Sequence, residues 1–293
     1  MANKVLVIGS SGQVGRALKE VLGPSAILAG RELFDLSKPR ELGARILEIQ
    51  PDIVINAAAY TQVDLAEKEE SLAHTINAEA PLEMAKACHK LKSIFVTYST
   101  DYVYSGTGSR AWVETDSVAP QNAYGRTKAA GEKLLMEWAP SDLSFLILRT
   151  SWVYSFAGKN FFLTMLKLGA EREELKIVED QIGAPTYAPH LAQGTSELLL
   201  KLRDPGFSGI YNICGAGETS WFHFAEEIFA RARLRGMDLR MKKLIGIPSS
   251  EFPTPASRPL NSRLNQTKLF DKFAVALPHW TLGLDECLTR TIK

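Results

Sequence analysis

The first twenty-two residues constrain the fold more than any other part of the chain. An apolar run at residues 4–8 is followed by glycines at Gly9, Gly12 and Gly15, and then by a helix-favouring stretch at residues 16–22. In a strand–turn–helix unit, Gly9 would permit the tight turn, Gly12 would let a pyrophosphate approach the backbone, and Gly15 would let the helix pack close to the sheet. The helix N-terminus then offers free N–H groups and a positive dipole end to phosphates. The segment therefore predicts a dinucleotide site.

The residues after the predicted second strand bear on the choice of dinucleotide. An acidic residue about 20 positions beyond the glycines usually binds the ribose 2′-OH of NAD, whereas a nearby arginine suits the 2′-phosphate of NADP. Here residues 26–28 are followed by Arg31 and Glu32. Arg31 favours NADPH, but Glu32 competes for the ribose, so NADH stays open. Asp35 and Leu36 would lie further along this connection, near the adenine.

Strand-like and helix-like segments alternate through the first half of the chain. The strand-like segments are residues 52–56, 94–98 and 145–149, and the helix-like ones are residues 78–91 and a stretch from Tyr124. This rhythm predicts an α/β fold with a Rossmann-type, doubly wound parallel sheet. In such sheets, ligands bind beyond the carboxyl ends of the strands.

The pattern loosens after about residue 155, where proline-bearing loops separate the helices. We expect residues 1–154 to form an NAD(P)-binding Rossmann domain and residues 155–293 to form mainly a smaller substrate-binding lobe. Strands near residues 176–178 and 210–212 are expected to return to the main sheet.

Composition excludes several classes of protein. The 293 residues are 45% hydrophobic with a formal net charge of +1, which gives no electrostatic reason to expect a nucleic acid or an anionic membrane as partner. No apolar run approaches the roughly 18 residues that span a bilayer, and the N-terminus does not have the pattern of a signal peptide. The three cysteines are widely separated and lack metal-ligand spacing. We expect a cytoplasmic protein with reduced thiols and no metal site.

Tyr124 and Lys128 form a candidate proton-transfer pair. Residues four apart lie on one face of a helix, so the Lys128 ammonium can lie beside the Tyr124 phenol. A nearby cation lowers the pKa of an acid by roughly 1–3 units, which would bring a phenol of about 10 toward the range where general acid catalysis is efficient. The alternative is a surface tyrosine and lysine on an ordinary helix.

Polar residues just after the predicted strands complete a candidate active site. Thr100 would polarise a substrate carbonyl, Tyr124 would supply its proton, and Lys128 would tune Tyr124 and hold the nicotinamide ribose. Asp101 could bind a substrate hydroxyl or satisfy backbone donors. Trp152 could offer an apolar face to a sugar or base, or belong to the core.

Five segments in both halves of the chain carry a specific resemblance. They are residues 56–64, 99–104, 149–154, 180–186 and 255–259. Together they resemble the dTDP-4-dehydrorhamnose reductases, a family of extended short-chain dehydrogenases/reductases, nearly from end to end. The resemblance implies NAD(P)H-dependent reduction of the C4 ketone of dTDP-6-deoxy-L-lyxo-4-hexulose, the final step of dTDP-L-rhamnose synthesis.

The same resemblance assigns site residues. It implies a catalytic triad of Thr100, Tyr124 and Lys128. With the turn glycines and Arg31, the predicted cofactor site comprises Gly9, Gly12, Gln13, Val14, Gly15, Arg31, Asp35, Leu36, Ala59, Tyr60, Thr61, Tyr124 and Lys128. The predicted substrate site comprises Thr100, Asp101, Trp152, Asn160, Gln181 and Arg258.

One departure from the family pattern concerns assembly. Some members have a glutamate two residues after the last turn glycine, at a magnesium-linked dimer contact, whereas this chain has Ala17. A role for Mg²⁺ is therefore doubtful, and a homodimer is left open. Two alternatives remain: another sugar-nucleotide epimerase or dehydratase of the same superfamily, and a non-catalytic NADP-binding regulatory subunit.

Overall fold

The computed structural model describes residues 3–202 and 208–292. The strands are β1 (Val5–Ile8), β2 (Ala26–Ala29), β3 (Ile53–Asn56), β4 (Ile94–Thr100), β5 (Phe145–Thr150), β6 (Val153–Tyr154), β7 (Glu174–Val178), β8 (Ile182–Gly183), β9 (Thr186–Tyr187), β10 (Ser208–Asn212), β11 (Thr219–Ser220), β12 (Lys243–Ile247) and β13 (Asn261–Ser262). The α-helices are α1 (Gln13–Leu22), α2 (Pro39–Ile49), α3 (Val63–Ala66), α4 (Glu70–His74), α5 (Ala80–Leu91), α6 (Ala123–Trp138), α7 (Phe161–Glu171), α8 (Ala188–Lys201), α9 (Trp221–Leu234), α10 (Thr267–Phe273) and α11 (Trp280–Thr291).

A parallel six-stranded sheet forms the centre, in the order β2-β1-β3-β4-β5-β10. Strand β1 lies between β2 and β3, so that Val5 pairs with both Ala26 and Ile53. The chain leaves β1 in one direction to form β2 and returns to the other side of β1 to form β3. Such a reversal creates a crevice at the carboxyl ends of the strands, where ligands bind in doubly wound sheets. The predicted fold class is confirmed.

Helices cover both faces of this sheet. One face packs against α1, α8 and α10 through residues such as Leu18 and Leu191. The other packs against α2, α5 and α6 through residues such as Ile46, Met84 and Leu135. The four residues of β1 and of β3 are all buried. Strands with both faces covered are apolar along their length, which is why the sequence pattern predicted them well.

The later part of the chain builds small sheets and a third core. Strand β7 pairs with β12, β8 with β11 and β13, and β6 with β9. Helices α7, α9 and α11 enclose a cluster that includes Phe162, Phe224 and Leu284. Strand β10 and helix α8 belong to the main sheet although they follow residue 154. The division of the chain into two domains at residue 154 stays a prediction.

One strand prediction is correct and one is wrong. Residues 210–212 lie in β10, which joins the main sheet beside β5. Residues 176–178 lie in β7, which pairs only with β12 among the described strands. Strand β7 alternates exposed and buried side chains, so one of its faces meets solvent. A strand of this kind does not suit the interior of a sheet that is covered on both sides.

Candidate active site

The glycine turn is held against the ends of two strands. The N–H groups of Gly9 and Ser10 both donate to the carbonyl oxygen of Ala29, at 2.9 and 3.2 Å. Gly9 has φ of 89°, and a Cβ there would lie 2.7 Å from the nitrogen of Ala58. A Cβ on Gly15 would collide with the carbonyl oxygen of Gly9. The turn therefore needs glycine at both positions, as the sequence predicted.

The N-terminus of α1 has the properties of an anion site. Gly12 caps the helix with extended backbone, no side chain hydrogen-bonds to this end, and the first turn has no acidic residue. A Cβ on Gly12 would have only one atom as near as 3.4 Å, the Gly9 carbonyl oxygen. Gln13, Val14 and Gly15 follow directly and present their N–H groups there. These residues fit the pyrophosphate of an NAD(P) cofactor.

Arg31 lies just beyond the end of β2, next to the glycine turn. Its side chain is 80% exposed, and its Nε lies 3.7 Å from Asp35 Oδ1. A hydrogen bond from Ser37 is the main reason why the pKa of Asp35 lies below its usual value. The Glu32 carboxylate folds back against Gly30. Leu36 is buried, so its side chain belongs to the core.

Residues 59–61 leave β3 and are anchored by their neighbours. The Tyr60 N–H donates to Asn77 Oδ1 at 2.8 Å, and Asn77 Nδ2 returns a hydrogen bond to the Tyr60 carbonyl at 3.1 Å. The Tyr60 hydroxyl donates to Glu69 at 2.7 Å. Burial and this contact raise the pKa of Tyr60 to about 12. Ala59 and Thr61 flank Tyr60, whose backbone Asn77 holds in place. No sequence motif indicated a role for Asn77.

The three predicted catalytic residues come together at the carboxyl end of β4. Thr100 ends that strand, donates to Asp101 Oδ1 at 3.0 Å and accepts from the Tyr102 N–H at 3.2 Å. Tyr124 lies in the first turn of α6, and the Thr100 hydroxyl is close enough to its phenol to lower the pKa of that phenol. Lys128 follows one turn later and is buried. The structure thus brings together residues that are 24 to 28 positions apart in the sequence.

The pKa of Tyr124 is raised, whereas the sequence analysis predicted that a nearby Lys128 would lower it. Burial raises the pKa of Tyr124 to about 12, the Thr100 hydroxyl opposes this, and the charge of Asp101 adds to it. The Nζ of Lys128 donates instead to the Tyr98 carbonyl, at 2.6 Å. Burial also lowers the pKa of Lys128 to about 8. Desolvation disfavours the charged form of each group and is the largest cause of both pKa shifts.

Asp101 is buried beside Thr100 and Ser262. Burial raises its pKa to about 6, although the neighbouring hydroxyls of Ser262 and Thr100 lower it. Ser262 belongs to β13, more than 150 residues further along the chain, and the sequence analysis missed it.

Trp152 lies between β5 and β6 with a left-handed backbone, φ 49°. Its ring stacks on Trp221 with 3.7 Å between centroids and 13° between planes. Gly183 leaves room for the ring, since a Cβ there would lie 2.8 Å from Trp152 Cε2. A tryptophan held in this rarely populated conformation is more typical of a functional site than of a core. The partner Trp221 gave no signal in the sequence.

The other predicted substrate residues occupy three different loops. Asn160 caps α7 by accepting from the Leu163 N–H and donates to Gln13 Oε1 at 2.8 Å. Gln181 precedes β8 and donates to Ser249 Oγ at 2.9 Å. Arg258 donates to Asp64 Oδ2 at 2.7 Å and lies near the Tyr102 phenol. Asn160 is thus linked to the predicted cofactor residue Gln13, whereas Gln181 and Arg258 are hydrogen-bonded to Ser249 and Asp64.

Residues 3–202 and 208–292 contain no group of three or more His, Cys, Asp or Glu side chains that could hold a metal ion. None of the described helices combines the length and the apolar character needed to cross a bilayer. All three cysteines are free and buried.

Comparisons with known proteins by sequence and by structure point to one family. The family model described as "RmlD substrate binding domain" matches residues 3–292. The dTDP-4-dehydrorhamnose reductase of Escherichia coli K12 is 43% identical over 291 residues, which are 97% of this chain and 96% of that protein. The chain belongs to the dTDP-4-dehydrorhamnose reductase family.

Solved structures of the family and of more distant proteins share the fold. The dTDP-4-dehydrorhamnose reductase of Bacillus anthracis, solved in complex with NADP, has a TM-score of 0.90 and 34% identity, and the match covers 99% of this chain and 100% of that one. The enzyme WbmG of Bordetella bronchiseptica, solved with NAD and UDP, has a TM-score of 0.79 at 17% identity, covering 100% and 97%. This second match supports the fold alone.

Proposed function

We propose that this protein is a dTDP-4-dehydrorhamnose reductase that uses NAD(P)H to reduce the C4 ketone of dTDP-6-deoxy-L-lyxo-4-hexulose to dTDP-L-rhamnose. The observation that carries the proposal is the position of Thr100, Tyr124 and Lys128 at the carboxyl end of β4 in a chain that matches the family over nearly its whole length. The glycine turn and the N-terminus of α1 would hold the cofactor pyrophosphate. When bound, NAD(P)H supplies the hydride.

The residues of the chain provide the rest of the chemistry. The Thr100 hydroxyl would donate to the ketone oxygen and orient it. With its pKa raised to about 12, Tyr124 stays protonated near neutral pH and is ready to give its proton to the developing alkoxide. Lys128, with a pKa of about 8, is mainly charged at pH 7 and favours negative charge in the site. Asp101, Trp152, Asn160, Gln181 and Arg258 are proposed to hold the sugar nucleotide.

Four further expectations extend this proposal. Arg31 is proposed to favour NADPH over NADH, because its guanidinium is exposed beside the turn. A homodimer and a cytoplasmic location stay predictions, and sedimentation of the purified protein tests the first. The boundary between the two domains near residue 154 is likewise a proposal.

The decisive experiment follows the absorbance of NADPH or NADH after addition of dTDP-4-keto-6-deoxyglucose together with its 3,5-epimerase. We expect oxidation that requires the epimerase and yields dTDP-rhamnose. The reaction without epimerase and the Tyr124→Phe variant are the controls. A folded protein that binds cofactor but does not oxidise it with this substrate would overturn the proposal.

The two alternatives make different predictions for the purified protein. An epimerase or dehydratase regenerates its NAD in each cycle and retains it, so the protein would carry cofactor absorbance through purification. A regulatory subunit would co-purify with a stoichiometric enzyme partner. The intact set of Thr100, Tyr124 and Lys128 favours the reductase over a purely regulatory role.

A further inference from the structure

Helix α6 continues the line of the catalytic residues by one more turn. Tyr124, Lys128 and Glu132 are spaced by four residues and therefore share one face of the helix. The exposed fractions of Lys128 and Glu132 are only 6% and 5%. Both side chains line a small pocket, together with the neutral side chains of Asn77, Thr97 and Ser99.

Arg149 on the adjacent strand β5 fixes the Glu132 carboxylate. Its Nε donates to Oε1 at 2.9 Å and its Nη2 to Oε2 at 2.5 Å. The Arg149 guanidinium is 1% exposed, and its Nη1 donates to the Tyr104 hydroxyl at 2.6 Å. The Tyr104 hydroxyl in turn donates to the Val113 carbonyl at 3.0 Å. The carboxylate therefore has a defined position beside Lys128.

The surroundings of Lys128 contain few other ionisable groups. Strand β4 offers the Tyr98 carbonyl, which accepts from Nζ, while the Tyr98 phenol is engaged with Thr195. On its own helix Lys128 is flanked by Tyr124 and Glu132. Among the described residues, Glu132 is the charged group that raises the pKa of Lys128 against the effect of burial.

A buried ammonium needs such a neighbour. Removal from water favours the neutral amine, and a carboxylate nearby restores the charged form. An unpaired buried carboxylate would itself be costly, and a bidentate arginine offsets that cost. The arginine also weakens the field that the carboxylate exerts on the lysine. The pair therefore favours the charged form of Lys128, but less strongly than a lone glutamate would.

We propose that Glu132 and Arg149 are positioning residues for Lys128, in which the Glu132 carboxylate favours the charged ammonium and the Arg149 guanidinium limits that effect. The inference rests on the proposed function for the role of Lys128 in turnover. The hydrogen bonds described for Glu132 and Arg149 join them to each other, to Tyr104 and to the Glu114 carbonyl, none of which is a predicted site residue. Both residues therefore act through Lys128.

The test compares charge variants of the pair. Glu132→Gln leaves the cation of Arg149 and should lower the pKa of Lys128 by about one unit or more. Arg149→Met leaves the carboxylate and should raise that pKa. The double variant Glu132→Gln/Arg149→Met removes both charges and should give a value between those of Glu132→Gln and the wild type. Glu137→Gln removes an exposed carboxylate of the same helix, paired with Lys133, and is the matched control.

Two readouts separate this inference from the proposed function. The pKa of Lys128 is measured by NMR of protein labelled with ¹³C at lysine Cε, and the Lys128→Arg variant assigns the signal. The apparent pKa in the pH profile of NAD(P)H oxidation should follow the same order. It should be highest in Arg149→Met, followed by the wild type, the double variant and Glu132→Gln. Thermal unfolding of each variant checks that it is folded.

The outcomes are distinct. If the single variants do not fold, the double variant still decides, because a buried ion pair can be replaced without loss of the fold. An unchanged Lys128 pKa in the folded double variant would overturn the inference even if the reductase activity is present. Lack of turnover in the wild type, with the NMR order as expected, would overturn the proposed function and leave the effect of the pair on Lys128 intact.

Discussion

Tyr124, Thr100 and Lys128 illustrate how burial sets the chemistry of single residues. A phenol whose pKa is raised to about 12 is a poor source of phenolate but is fully protonated near neutral pH. This suits a reductase, since the alkoxide that forms during reduction needs a proton. The Thr100 hydroxyl lies close to the phenol, at the place that we propose for the ketone oxygen.

Replacing Tyr124 by phenylalanine tests this role. We expect turnover to fall by about 10²–10⁴-fold, the usual contribution of a positioned general acid, with the Kd for NADPH nearly unchanged. Steady-state kinetics and a fluorescence titration measure the two quantities. Tyr211→Phe, in β10, is the control and should retain activity. Equal turnover in Tyr124→Phe and wild type would contradict the mechanism.

Asp101 gives the protein a predictable dependence of stability on pH. Its pKa rises from about 3.9 in an unfolded chain to about 6 in the folded one. The folded state therefore binds more protons than the unfolded state between these values, and the free energy of unfolding falls as pH rises through this window. The contribution is about 2–3 kcal/mol.

Denaturant unfolding of wild type and Asp101→Asn at pH 4 and pH 7 measures this effect. The wild type should lose stability relative to Asp101→Asn as pH rises from 4 to 7. A difference between the two proteins that is the same at both pH values would show that Asp101 is not desolvated as the structure indicates.

Arg31 decides the cofactor preference in our proposal. Arg31→Ala removes the guanidinium. It should weaken the binding of NADPH about tenfold and leave the binding of NADH nearly unaffected, because only NADPH has the 2′-phosphate. Glu32→Gln is the matched variant and should change the preference in the opposite direction, since it removes a negative charge near the same phosphate. The ratio of kcat/KM for the two cofactors is the measurement. If neither variant alters that ratio, the 2′-phosphate binds elsewhere.

At the scale of elements, the β1–turn–α1 unit depends on two close approaches of backbone. Gly9 meets the backbone of Ala58 after β3, and Gly15 meets the carbonyl of Gly9. These contacts hold α1 against the carboxyl end of the sheet, where the chain reverses direction around β1. Gly12 lies between them, and a Cβ there would meet only ordinary van der Waals contacts, the nearest at 3.4 Å from the Gly9 carbonyl oxygen. The three glycines of one motif therefore serve different purposes.

Alanine substitutions separate these purposes. Gly15→Ala should lower the free energy of unfolding by about 1–3 kcal/mol, the usual cost of overpacking, because the added methyl meets backbone. Gly12→Ala should unfold like the wild type but bind NADPH at least about tenfold more weakly, because its methyl occupies the approach of the pyrophosphate. Chemical denaturation and cofactor titration measure both variants. The opposite assignment of the two defects would refute the proposed geometry of the turn.

At the scale of the whole molecule, Gln13 joins the glycine turn to later parts of the chain. Its Nε2 donates to the Val153 carbonyl at 3.3 Å, and its Oε1 accepts from Asn160 Nδ2 at 2.8 Å. Asn160 also caps α7. One side chain therefore joins the predicted cofactor site, the start of β6 and the N-cap of α7.

Two variants of Asn160 distinguish the cap from the bridge. Asn160→Ala removes both and should lower the free energy of unfolding by about 1 kcal/mol. Asn160→Ser keeps a capping oxygen but is too short to reach Gln13, so its stability should stay within a few tenths of a kcal/mol of wild type. Both should raise the KM for the sugar nucleotide to a similar extent. If Asn160→Ser retains the wild-type KM, the bridge has no part in binding.

The sequence by itself determined the strands of the central sheet, the glycine turn, and the presence of Thr100, Tyr124 and Lys128. Each of these can be recognised from local periodicity or from a short motif. A strand buried on both faces, or a turn with φ above zero, restricts which residues can occupy its own positions. The sequence spacing of four was enough to place Tyr124 and Lys128 on one helical face.

Only the tertiary structure decided the environment of those residues. The pKa of Tyr124 is raised rather than lowered because other segments bury it, and the partners Ser262 of Asp101 and Arg149 of Glu132 come from distant parts of the chain. The pairing of β7 with β12 was likewise missed. Desolvation and long-range pairing depend on which segments meet in space, and no local pattern in the sequence records that.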